Sequence, residues 1–172
     1  MSVPDGELRQ VRLIRFPLDV HGRATEAFEG LRREFQLIAM RTAGAGEVPD
    51  RLLRLVDALG VRYRGFASEA DRARDAAAER GDKEVDELVY RVPAEVGEAC
   101  VDLSRMIDEA DEFCRRGELL LTLASPAEAV AFRRWYLGEF TAQIAGEPPL
   151  PWPDADRDAL AGDPRLRGTT AG

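Results

Sequence analysis

The chain has 172 residues, of which 45% are hydrophobic and 33% charged. That balance fits one globular core and excludes a disordered or fibrous chain. A net charge of −8, from 32 acids against 24 bases, argues against a nucleic-acid backbone as partner. The nearest its basic residues come to clusters is three isolated doublets, Arg32-Arg33, Arg115-Arg116 and Arg133-Arg134, not a stripe. Met1 to Gln10 has no apolar stretch of the kind that opens a signal peptide. No apolar run approaches the roughly 20 residues of a membrane helix. A cytoplasmic location is the expectation.

In chain order, Val11 to Phe16 alternates apolar and basic residues, which predicts a strand stopped by Pro17. From Val20 or His21 the apolar residues recur at threes and fours through Ala24, Ala27, Phe28, Leu31, Phe35 and Ile38, which predicts an amphipathic helix. Thr42 to Gly46 reads as a connector. A second helix opens near Pro49 and carries Leu52, Leu55, Val56 and Leu59. The segment 67–80 has no large apolar residue and predicts a solvated helix closed at Gly81-Asp82.

A second strand is predicted over 85–92, stopped by Pro93. A long helix follows, with Val96, Ala99, Cys100, Leu103, Ile107, Ala110 and Cys114 on one face. Its end is basic, at Arg115-Arg116, with Gly117 as the stop. A third strand is predicted over 119–123. Ser125-Pro126-Ala127-Glu128 has the spacing of a capping box, and the helix it opens runs to Gly146. The Pro-rich stretch 147–153 cannot be helix or central strand, and the best place for its Trp152 is back against Trp135 or Tyr136. The fold class expected is therefore α+β. A small three-stranded sheet (strands near 11–16, 85–92 and 119–123) is covered by four or five helices. Residues 1–153 form one domain and 154–172 a disordered tail. The units LIRFPLDV (13–20) and VYRVPAEV (89–96) share a strand–Pro–helix pattern that permits an internal repeat.

Chemical motifs are sparse. His21 is the only histidine, and a histidine at a helix start commonly serves a cap or turn. Cys100 and Cys114 lie on one helix, roughly 21 Å apart at about 1.5 Å rise per residue, too far for a disulfide. They read as two buried thiols. The acids Asp108, Glu109, Asp111 and Glu112 could hold Mg²⁺ but read better as a solvated face. No catalytic, cofactor-binding or metal-ligating set is assigned, and no cofactor is expected. Gly44-Ala45-Gly46 lacks the rest of a phosphate loop. The densest cluster of residue types favoured at interfaces is FRRWYLGEF, 132–140. It supplies the candidate interaction residues Arg133, Arg134, Trp135, Tyr136 and Glu139, joined by Trp152. The competing role for the aromatic residues is core.

Two segments carry a resemblance, RFPLDVHGRATEAFEGLRREFQLIA (15–39) and CRRGELLLTLASPAEAVAFRRWYLGEFTAQIAGEPPLPWP (114–153). They resemble a family of uncharacterised small proteins of high-GC Gram-positive bacteria. That family's genes often lie beside anti-sigma ATPases, STAS-type antagonists and their phosphatases. The resemblance implies a regulatory, protein-binding role in a sigma-factor/anti-sigma partner-switching circuit, with an anti-sigma or STAS-type regulator as partner. It transfers no catalytic or binding residue. Two alternatives stand beside it. One is a small enzyme or ligand-binding domain with a pocket at the strand ends, lined by His21, Arg15, Arg91 and Glu139. The other is a structural homo-oligomer.

Overall fold

The computed structural model describes residues 8–41, 47–116 and 125–153. Two strands of equal length form the sheet, β1 (Leu8–Pro17) and β2 (Glu84–Pro93), paired antiparallel. The helices are α1 (Leu18–Arg41), α2 (Glu47–Tyr63), α3 (Ser68–Glu79), α4 (Val96–Arg115) and α5 (Ala127–Ile144). A 3₁₀ turn at Arg64–Phe66 links α2 to α3. The α+β class holds, with two strands among the described residues. The expected strand at 119–123 and the expected tail at 154–172 lie outside those residues.

Proline ends both strands, as a residue that cannot donate to a ladder should. The register pairs Leu8 with Pro93 and Pro17 with Glu84, so each strand–Pro–helix unit occupies the matching place in the ladder. Burial breaks that symmetry. Val11 and Leu13 face the core, whereas the residues at the same places in β2, Glu87 and Val89, are exposed. In both strands the buried alternation skips a residue, from Leu13 to Phe16 and from Val85 to Leu88. Pairing lapses there, between Ile14–Glu87 and Phe16–Val85, and Arg15 has φ +56°.

Helices cover one face of the sheet. The larger core cluster joins Val11, Leu13 and Phe16 of β1 and Leu88, Tyr90 and Val92 of β2 to the aromatic side of α5. The second cluster lies between α1, α2 and α4, around Phe35, Leu52, Ile107 and Phe113. The other sheet face, with Gln10, Arg12, Glu87, Val89 and Arg91, is open to solvent.

The expectation for 67–80 needs correction. That helix is docked, not wholly solvated, because Ala70 and Ala77 come one above the other and are small enough to sit tight against the sheet. Its end is as expected: Gly81 adopts φ +81°, and Asp82 N–H bonds the Ala77 carbonyl. The capping box at Ser125 does not form. Pro126 is the N-cap, Ser125 turns its hydroxyl to Asp111, and Glu128 pairs with Arg23. No helix among the described residues is long and apolar enough to cross a membrane.

Candidate functional site

Three groups of side chains carry the polar chemistry of the interior. The first joins α4 to α5. Arg133 donates to Asp111 at 2.9 Å and to Asp108 at 2.5 Å, Ser125 donates to Asp111 at 2.7 Å, and Arg134 reaches Asp108 at 3.4 Å. Asp111 is only 4% exposed. Arginine suits this role because its planar fork addresses two carboxylates at once. The expected solvated acidic face is thus half wrong. Asp108 and Asp111 turn inward to Arg133, whereas Glu112 points out and pairs with Arg115. Among the described residues no group of three or more His, Cys, Asp or Glu is gathered as a metal ion would require.

The second group seals the outer edge of β1. Gln143 Oε1 accepts from Arg12 N–H at 2.9 Å, and Gln143 Nε2 donates to the Arg12 carbonyl at 2.8 Å. Its second amide hydrogen goes to Glu139 Oε2 at 2.9 Å, and that oxygen also accepts the Leu150 N–H. Glu139, 1% exposed, is held by this network. The helix ends in a turn at Gly146, φ +97°, and the Pro-rich segment then runs back to the outer edge of β1. Trp152 N–H donates to the Ile14 carbonyl, and Trp135 Nε1 donates to the Leu150 carbonyl. The two indoles meet edge to face at 5.3 Å, with Trp135 3% and Trp152 8% exposed. Residues 147–153 form a strap, and Trp152 is its anchor.

The third group surrounds a cavity of about 260 Å³ between α1, α4 and α5. Ala24, Phe28, Leu103, Ile107, Phe132 and Leu137 give it apolar walls, and His21, Thr25 and Tyr136 add polar atoms. Helix α1 begins directly after Pro17, so His21 lies in its first turn. There its ring sits against Phe16 at 5.2 Å and Phe132 at 5.8 Å. Burial lowers the His21 pKa from 6.5, and Arg74 on α3 lowers it further; Asp71 and Asp75 oppose this. The imidazole is therefore neutral at pH 7. Tyr136 hydrogen-bonds Tyr90, and burial pushes both phenols above their ordinary pKa. Both cysteines are buried free thiols, as expected from their positions. Burial raises Cys100 to about 12 and, with help from Asp111 and Glu34, Cys114 to about 11.

Of the six candidate interaction residues, Trp135, Glu139 and Trp152 are buried. Tyr136 packs on the same core, Arg133 joins the ion-pair network and Arg134 is half-buried beside it. The structure brings all six into the interior or its margin. The four residues proposed for a pocket at the strand ends are not brought together. His21 lines the cavity, Arg15 pairs with Glu84, Arg91 is on the open sheet face, and Glu139 sits beneath the strap. Sequence reasoning missed Gln143 and misread Asp111 as part of a solvated face. Gln143 carries no sequence signal, but Asp111 falls four residues after Ile107, on the apolar stripe, where a carboxylate demands a partner. No family model, no curated protein and no solved structure matches this chain.

Proposed function

We propose that the chain is a regulatory protein-binding module, acting in a sigma-factor/anti-sigma partner-switching circuit on the strength of the resemblance. The observation that carries the binding role is how the interior's polar side chains are used. Arg133 locks α4 to α5, Glu139 and Gln143 hold the strap and β1, and His21 is wedged between two phenyl rings. These are structural duties, and among the described residues they leave no base or nucleophile at a reacting centre. The contact face we assign is the outer side of α4, where Val101 is 50% exposed beside Asp102 and Arg105. Titration calorimetry against a purified anti-sigma ATPase and a STAS antagonist tests this. Saturable binding to one of them, lost in Val101→Arg, is the expected result. No heat from either at micromolar concentration overturns the role.

A second reading, ligand binding, is favoured by the cavity. Its apolar walls and neutral imidazole suit an uncharged aromatic or aliphatic molecule with one hydrogen-bonding group. Indole is a fitting probe. It should raise the melting temperature of the wild type and not of Ala24→Leu, which fills the cavity. An equal response from both proteins removes this reading.

A further inference from the structure

The two edges of the sheet are treated differently. On β1 the outward N–H and C=O of Arg12 are bound by the Gln143 amide, and the outward carbonyl of Ile14 is bound by Trp152. On β2 no backbone hydrogen bond to another element is made along Glu87–Arg91 among the described residues. The β1 bonds also fix which β2 groups point outward. In an antiparallel ladder, a residue whose backbone groups point away from its neighbour faces a partner whose groups do the same. Arg12 is opposite Val89, and Ile14 is opposite Glu87. The N–H and C=O of Glu87, Val89 and, by the two-residue period, Arg91 are therefore directed to the outer edge of β2.

We propose that this edge is a self-association surface, and that its occupant is the β2 strand of a second copy of the chain. The argument is charge complementarity under two-fold symmetry. With the axis through Val89, Val89 faces its own copy and Glu87 of each chain faces Arg91 of the other. Registers centred on Glu87 or Arg91, and any in-register parallel pairing, oppose like charges. All three side chains are exposed on the open sheet face, Val89 at 36%. Arg91 makes no ion pair among the described residues. Glu87 already bonds Arg12 and would lie between two guanidinium groups. This register forms about six main-chain hydrogen bonds. It turns a two-stranded sheet, marginal by itself, into a continuous four-stranded one. An edge contact of this kind falls at the small end of interface sizes, so a weak, concentration-dependent dimer is expected.

The test is the mass of the full chain by light scattering over a micromolar-to-millimolar series. Wild type should pass from 19.0 kDa towards twice that value. Glu87→Arg alone sets arginine against Arg91, and Arg91→Glu alone sets glutamate against Glu87. Each should weaken the dimer about tenfold or more. Mixing the two variants restores opposite charges at both contacts, so a heterodimer should return. Circular dichroism of each variant checks that the fold is kept. A wild type that stays at 19.0 kDa throughout overturns the proposal. So does a dimer indifferent to both reversals, or the absence of the heterodimer when both variants are folded.

Discussion

Arg15 holds a left-handed backbone conformation inside a strand, at the point where both strands change the face they bury. A residue with a Cβ is strained there by about 1–2 kcal/mol, and glycine is not. Its ion pair with Glu84 is solvent-exposed and contributes little against that cost. Arg15→Gly should therefore be more stable than Arg15→Ala by about 1 kcal/mol in urea unfolding. His21 supplies a pH dependence. Its pKa in the fold is below 6.5, so the unfolded chain binds the proton more readily. The contribution is complete above about pH 6.5 and is lost as the pH falls through the folded value. Stability measured between pH 7 and 5 should fall more steeply in wild type than in His21→Asn. The sequence puts His21 at a helix start, and that much is legible. Its phenyl neighbours come from β1 and α5, and no local pattern brings those together.

At the level of elements, the strap and its buttress are the most consequential feature. Gln143→Glu keeps the shape of the side chain but replaces its amide donors with a carboxylate oxygen. That oxygen would face the Arg12 carbonyl and the Glu139 carboxylate, at a cost of about 2 kcal/mol. Trp152→Ala should cost about 3 kcal/mol, since a large buried ring leaves a cavity between Trp135 and Phe132. The same variant exposes Trp135, and its emission should shift to longer wavelength than that of the wild type. Most elements were legible because proline and glycine punctuate them: Pro17 and Pro93 end strands, Gly81 and Gly146 end helices. The Pro-rich composition left Trp152 folding back onto Trp135 or Tyr136 or serving as a docking peptide, and Trp135 is the partner it meets. What was not legible is the use of Ser125. Its capping-box spacing is a local signal, and the tertiary demand of buried Asp111 overrides it.

Across the whole molecule, two core clusters meet at α1 and α4, and the cavity opens along their seam. Helix α2 packs mainly in the smaller cluster, touches the larger one at its end through Tyr63, and has one fully buried residue, Leu52, among those described. Its amides should exchange with deuterium well before those of α5, which the larger cluster and the strap hold down. The α+β class was readable from periodicity because β1, α1, α2 and α4 each have an apolar stripe of their own. Strand pairing was not, because β1 and β2 are separated by three helices and only their shared proline stops hint at their partnership.

The closure of β1 reaches across 131 residues, from Arg12 to Gln143, and then further to Trp152. On a ribosome the first strand is made long before its seal. Contacts of such sequence separation form late, because the intervening chain must be ordered first. For that interval the strand presents bare amides on both sides, and a chaperone or a neighbouring nascent chain has its best opportunity to bind. Versions of the protein cut short of Trp152 would carry that vulnerability permanently, and should be the ones that precipitate.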